Sequence, residues 1–458
     1  MQRSLISSLD KKLAQVIQMA GRPIEGPHEL EASLRQIYHS INDADLHDFD
    51  SLDLLKHAAH AMHGLFTARM VLRDRIAEWQ AKGLLARPAE VALRDAFRIM
   101  RYANDMLGEV GIENRHLEAD EKPRRAFTGR DYNTQVHPKY FDGRNIAFRS
   151  GDVLVVRGHA HNSAAIARIG DVDTQFSHTA MIYVDKEGKH WALEALIEDG
   201  AVINTLEHLL DHGIGRAVLY RHKDPMLAAR AAELTHARIR ASKGWSRHIP
   251  YDFSMRLTGR RRLFCAKLVH QAFLDASNGK VRLPAFKTRF DQRNREFFRS
   301  IGVRTTETYA PGDIDLDPSF DLVAEWQDYR STASLRRQDM IMTKFFEWME
   351  TRGYGFRPDF FVRLISIFGR ISSYFFDGVK ELLSSVVPKI PSSMNRSTIA
   401  TIIMLHKTAE SLMPAMRALD ENHVKMTGRP IHPRELLSHL ERLREVSGGK
   451  IGYLRGKA

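Results

Sequence analysis

The chain of 458 residues contains one cysteine, Cys265, and its surroundings are of the kind that acyl chemistry uses. Arg260-Arg-Arg-Leu-Phe264 precedes it and Ala266-Lys-Leu-Val-His-Gln-Ala-Phe273 follows. Leu268, Val269, Ala272 and Phe273 recur at helical spacing, which predicts a helix with the cysteine at its N-terminus. Unpaired amides and the positive end of the helix dipole favour a thiolate there, and the same amides can hold an oxyanion. A thiolate that attacks acyl carbon also needs a base and a polar group to orient that base. Met181, Tyr183, Lys189 and Trp191 flank a turn at Asp185-Lys-Glu-Gly188, so a hairpin is predicted with Met181 facing Trp191 and Tyr183 facing Lys189. Continuing that register sets His178 directly across from Glu194. A carboxylate on one imidazole nitrogen fixes the tautomer and leaves the other nitrogen free to act on a thiol. Taken singly, the cysteine reads as a small buried hydrophobe, the histidine as a strand residue and the glutamate as a solvated one. Together, on a strand pair followed by a cysteine-led helix, they read as nucleophile, base and orienting group.

The elements that must carry these residues form a helical, then mixed, then helical pattern. Leu55, Ala59, Met62, Phe66 and Met70 share one helical face, and Leu93, Phe97, Met100, Ala103 and Leu107 share another after Pro88. The stretch 113–145 is rich in charge, Pro and Gly and reads as a linker or long loop. Short β-type runs follow at Asp152 to Val156, Thr179 to Val184 and Trp191 to Leu196, with helices expected over 226–242 and 265–277. A mixed unit closing near Trp326 results. From Ser331 to about Val446 the pattern is helical again. The fold class is therefore α+β, with a helical region and linker over 1–144, a mixed hydrolase domain over 145–330 and a C-terminal helical region over 331–458. Met19-Ala-Gly-Arg-Pro-Ile24 resembles Met426-Thr-Gly-Arg-Pro-Ile431, and each precedes a Pro-initiated helix, so two similar turn-plus-helix pieces are expected to pack near each other.

Composition narrows the function classes. Lysine and arginine number 68 against 56 acids, a formal net charge of +12, which suits acidic partners or simply a solvated basic surface. A single cysteine excludes an intramolecular disulfide and any cysteine-based zinc cluster, and fits a reducing compartment. Lys11 and Lys12 interrupt the apolar pattern of the first 21 residues, so no secretory signal is read there and a cytoplasmic location is expected. The most apolar stretch, Phe360 to Val387, is broken by Arg363, Arg370, Asp377, Lys380 and Glu381, too often for a spanning helix. Phe361, Leu364, Ile365, Phe368, Ile371 and Phe375 nevertheless share one side, which predicts an amphipathic helix that packs on the protein or lies on an anionic membrane surface. His159 and His161 alternate but lack a third ligand at metal spacing. No cofactor is expected. No phosphate-binding glycine loop, kinase set or zinc finger occurs, and the charge brings no nucleic-acid motif with it.

Gly151-Asp-Val-Leu-Val-Val-Arg-Gly158, Phe176-Ser-His-Thr-Ala-Met-Ile-Tyr183, Leu193-Glu-Ala195, Pro250-Tyr-Asp-Phe253 and Phe264-Cys-Ala-Lys-Leu-Val269 occur in that order. This series resembles the YiiX-like group of circularly permuted, NlpC-type, papain-like cysteine hydrolases, in which the histidine precedes the cysteine. The resemblance extends to Ala310-Pro-Gly-Asp313 and Pro318-Ser-Phe320 and covers roughly 145–326. It implies an antiparallel sheet packed with helices and a catalytic set of Cys265, His178 and Glu194. Relatives commonly carry a small residue and then a glutamate after the cysteine, where this chain has Ala266 and Lys267. A lysine at that place would favour the thiolate. Tyr251, Arg260 and Arg261 are candidates to hold substrate, the arginines through a phosphate or carboxylate. The expected activity is hydrolysis of an amide or ester acyl bond, of a peptide or fatty-acyl substrate, through a thioester on Cys265. The alternative is a non-catalytic scaffold that keeps the fold and binds an anionic membrane or a partner.

Overall fold

The computed structural model describes residues 8–113, 133–141, 146–211, 213–242, 248–290, 294–359, 362 and 394–456. The chain opens with five helices, α1 (Ser8–Gly21), α2 (Pro27–Asn42), α3 (Ser51–Asp74), α4 (Ile76–Ala81) and α5 (Arg87–Glu113). Their starts follow from local chemistry. Asp50 caps α3 by accepting from the amides of Leu52 and Asp53, and Pro27 occupies the first turn of α2, where its missing N–H costs nothing. The mixed region comprises β1 (Thr134–Val136), β2 (Val153–Gly158), α6 (His161–Ala167), β3 (His178–Val184), β4 (His190–Leu196), β5 (Gly200–Thr205), α7 (Leu206–Leu210), β6 (Ile214–His222), α8 (Pro225–Ala241), α9 (Cys265–Ala276), β7 (Thr288–Arg289), α10 (Arg295–Ser300), β8 (Glu307–Thr308) and β9 (Phe320–Gln327). The last part holds α11 (Thr332–Arg352), β10 (Gly355–Phe356), α12 (Arg396–Thr427), α13 (Pro433–Val446), β11 (Lys450–Ile451) and β12 (Leu454–Arg455).

An antiparallel seven-stranded sheet in the order β1-β9-β6-β2-β3-β4-β5 is the frame of the molecule. Side chains alternate across it. Val153, Val155, Met181 and Leu193 pack with Ala231 of α8 and with Val269 and Phe273 of α9, while Leu154, Ala180, Ile182 and Ala192 pack with Leu206, Leu209 and Leu210 of α7 on the other side. The first edge strand, β1, lies in the stretch expected as a linker. Three residues are too few for a period-two pattern to show, and the strand is defined by its partner, with Thr134, Gln135 and Val136 opposite Trp326, Glu325 and Ala324.

The helical flanks are tied to the sheet by buried ion pairs. On α3, Arg69 reaches Glu325 at 2.5 Å and Arg73 donates to the carbonyls of Phe320, Ile314 and Asp317. On α5, Arg94 meets Asp313 at 2.7 Å, Arg101 meets Asp315 at 2.6 Å, and Asp105 receives Arg216 of β6 at 2.5 Å. The C-terminal side repeats the device: Asp339 of α11 accepts from Arg157 of β2 and from Arg168, and Arg336 joins Glu109 of α5 at 2.6 Å.

The two turn-plus-helix pieces meet at one point, and not through their turns: His432 lies 3.1 Å from the Asn42 carbonyl at the end of α2, while Arg429 of the second turn donates to the carbonyls of Leu46 and Phe49 and to the Ser51 hydroxyl, beyond α2. Apart from Val362, which is buried, the stretch 360–387 expected as an amphipathic helix lies outside the described residues. Among the described residues no helix is long and apolar enough to cross a membrane.

Candidate active site

Three adjacent strands each supply one polar side chain to a single line. His178 is the first residue of β3, Glu194 lies on β4 and Asn204 on β5. The hairpin register pairs Met181 with Leu193, Tyr183 with Trp191 and Val184 with His190, two residues away from the pairing expected from the sequence. The turn is the cause. Its loop is Lys186-Glu187-Gly188, closed by Asp185 and Lys189: the Asp185 amide donates to the Lys189 carbonyl, and the Asp185 carboxylate accepts from the amides of Glu187 and Lys189. Gly188 takes φ +80°, the left-handed position such a three-residue loop requires. His178 and Glu194 are thus diagonal neighbours and not direct partners. A shift of two leaves both on the same face, within reach of long side chains. His178 Nε2 lies 2.8 Å from Glu194 Oε2, and Asn204 Nδ2 donates to Glu194 Oε1 at 3.0 Å, again along a diagonal, since Glu194 pairs with Val202.

Cys265 opens α9 and is buried, with Phe264 extended at the N-cap. The strand-like segment before it is pinned beside residues 250–252: the Leu263 amide donates to the Pro250 carbonyl and the Asp252 amide to the Leu263 carbonyl. With Nε2 turned to Glu194, the same His178 ring is also hydrogen-bonded with Cys265. Burial alone would depress the His178 pKa, but a hydrogen bond with Cys265, a second with Glu194 and the charges of both push it up to about 10. Glu194 is almost fully buried; burial works to raise its pKa, and the His178 and Asn204 hydrogen bonds and the imidazolium charge outweigh this and hold it below the ordinary carboxylate value. His178 is therefore favoured as an imidazolium, held between Cys265 and Glu194.

The other sequence candidates are distributed unevenly. Tyr251 is buried in T-shaped contact with Phe253, their ring centroids 5.0 Å apart, and its pKa lies well above the usual phenol value because of burial, then the nearby charge of Cys265. Arg260 does not reach the nucleophile: its guanidinium bonds Asp275 near the far end of α9, so the expected anion clamp is not assembled there. Arg261 is exposed. Lys267, expected to favour the thiolate, is instead buried and engaged elsewhere, donating to Asp252 at 2.7 Å and to the Thr258 carbonyl at 2.8 Å. It braces a loop in which Met255 holds φ 56°, a strained setting for a bulky side chain. His161 is buried on α6, 2.7 Å from Glu410, and among the described residues no group of three or more metal-ligating side chains forms. Asn204 was not singled out from the sequence. Its signal was available, because a strand asparagine at the parity of a buried glutamate has a carboxylate within reach.

The pair sets a pH dependence. An imidazolium whose pKa is raised to about 10 in the fold, against about 6.5 in an unfolded chain, contributes stability that is complete below about 6.5 and lost as pH rises through about 10. Glu194→Gln removes one of the two negative partners, so the basic limb of the kcat/KM profile is expected to move to lower pH, with Asn204→Ala moving it in the same direction by less. An unmoved basic limb in Glu194→Gln would separate Glu194 from the imidazole.

Residues 147–313 match the model of a family described as permuted papain-like amidase enzyme, YaeF/YiiX, C92 family. No curated protein and no solved structure gives a match to the chain. The matched segment contains β3, β4 and α9 with the order histidine, glutamate, cysteine, and over residues 147–313 the chain is similar to the YiiX-like, permuted papain-like hydrolases.

Proposed function

We propose that the chain hydrolyses an acyl amide bond, in a peptide or fatty-acyl substrate, through a thioester on Cys265. The observation that carries this reading is a single imidazole that holds a buried carboxylate at 2.8 Å on one side and the only thiol of the chain on the other. The sulfur of Cys265, its proton held by His178, attacks the acyl carbon. The developing oxyanion is met by amides in the first turn of α9, which have no carbonyl four residues back to accept them. His178 passes its proton to the leaving nitrogen and the C–N bond breaks, leaving the thioester. Water then attacks with His178 as base, the C–S bond breaks, and a carboxylic acid leaves with the thiolate–imidazolium pair restored. Glu194 positions the imidazole and Asn204 positions Glu194.

An acyl-directed thiol probe should label wild-type protein at one site, identified as Cys265 by peptide mass. Fatty-acyl amides and short peptides added as competitors should then divide the two substrate classes. Labelling that persists unchanged in Cys265→Ala, or that is as fast in His178→Ala as in wild type, would defeat the assignment.

A further inference from the structure

A cavity of about 270 Å³ lies among the helices, and none of the side chains lining it belongs to the Cys265 group. It is far larger than the roughly 10–15 Å³ that holds one water, in a packing regime where voids of more than a water are few. Leu13 of α1, Ile41 of α2, Leu65 of α3, Met106 of α5, Met340 of α11 and Leu437 of α13 contribute to its wall, so both helical flanks close over it. Largely apolar cavities of this size take apolar guests. The rim is different in character. Lys12 and Arg434 stand there, with Arg434 Nε 3.3 Å from His432 Nδ1, and among the described residues neither forms an ion pair with an acid, whereas Arg98, which also lines the cavity, is paired with Asp95 at 2.8 Å. The acids at the rim are already engaged: Asp173 holds Arg168 at 2.6 Å, and Asp45 accepts from the His47 amide at 3.0 Å.

We propose that this cavity is a binding site for a free single-chain carboxylic acid, with the alkyl chain among Leu13, Leu65 and Met106 and the carboxylate between Lys12 and Arg434. An apolar wall selects a chain, and two cations without acidic partners at the opening select a single anionic head over a neutral or cationic one. The ligand would touch the N-terminal and C-terminal helices together and so hold the two flanks against each other. The site stands independently of the chemistry at Cys265.

Isothermal titration of the full chain with dodecanoate, dodecanol and dodecyltrimethylammonium tests it. Dodecanoate is expected to bind one to one and to raise Tm, with dodecanol weaker and the cation weakest. Ala103→Trp, which fills the cavity from α5, should abolish binding of all three. The double change Lys12→Glu with Arg434→Glu should weaken dodecanoate by about tenfold or more while leaving dodecanol within about twofold. Equal affinity for the three amphiphiles, absence of one-to-one binding, or dodecanoate binding that survives Ala103→Trp would overturn the proposal. Should Ala103→Trp fail to fold, the double variant decides alone, and an unchanged dodecanoate affinity in it would overturn the assignment of the head group. Retention on phosphatidylglycerol vesicles without binding of free dodecanoate would assign the cations to a membrane surface and also overturn it.

Discussion

His178→Ala is expected to lower kcat/KM on an amide substrate by on the order of 10⁴-fold, the upper range for a positioned acid–base group, with the fold retained by circular dichroism. The imidazole serves twice in the proposed cycle, as acceptor of the thiol proton and donor to the leaving nitrogen, and no other side chain has been placed to do either. In wild type the basic limb should fall as pH rises through about 10, where His178 gives up the proton that the leaving group needs. In His178→Ala that limb should vanish along with the activity, and Cys265→Ala should be inactive at every pH. A residual rate within tenfold of wild type in His178→Ala would show that the imidazole does not carry the proton.

Arg101→Met is expected to destabilise the protein by about 3–5 kcal/mol, the cost of leaving buried charge without its partner. Arg101 is almost fully buried, with Nη1 at 2.6 Å from Asp315 and Nε at 3.3 Å from Glu325, and methionine replaces the unbranched apolar stem of the side chain without its charge. Its loss leaves Asp315 with the Tyr220 hydroxyl at 2.8 Å and leaves Glu325 with Arg69. The two acids would then compete for too little positive charge beside the sheet. Urea unfolding measures the difference, and Lys82→Met, which breaks an exposed pair with Glu78, serves as the control at about 0–1 kcal/mol. A drop of less than about 1 kcal/mol for Arg101→Met would mean that water or a shifted side chain already satisfies Asp315 and Glu325.

The site was legible in the sequence for a reason that tolerates error. Side-chain direction in a strand repeats every two residues, so the misjudged turn at Lys186 to Gly188 moved the register by two and left His178 and Glu194 on one face. The helix led by Cys265 was legible because Leu268, Val269, Ala272 and Phe273 must all be buried, as they are. Charged residues were the opposite case. Arg69, Arg73, Arg94 and Arg101 follow helical spacing as regularly as any apolar stripe, yet periodicity treats arginine as solvent-facing, and only the stretch 313–325, far away in sequence, makes them buried contacts, through its acids for Arg69, Arg94 and Arg101 and its carbonyls for Arg73. Lys267 and Arg260 fail for the same reason: proximity in sequence to Cys265 placed neither charge beside the sulfur, because Asp252 and Asp275 claim them first.

Strand β9 lies between β1 and β6 in the sheet, yet it begins at Phe320, beyond the segment 147–313 shared with the amidase family. Its Glu325 is also where Arg69 and Arg101 of the N-terminal helices converge. A gene fragment ending with the shared segment would therefore encode a sheet without one of its inner strands, and would leave Arg69 and Arg101 without Glu325 while Arg94 keeps Asp313. In this chain the strands that carry His178 and Glu194 are therefore continuous with β9 through one sheet, and through Glu325 of β9 with α3 and α5.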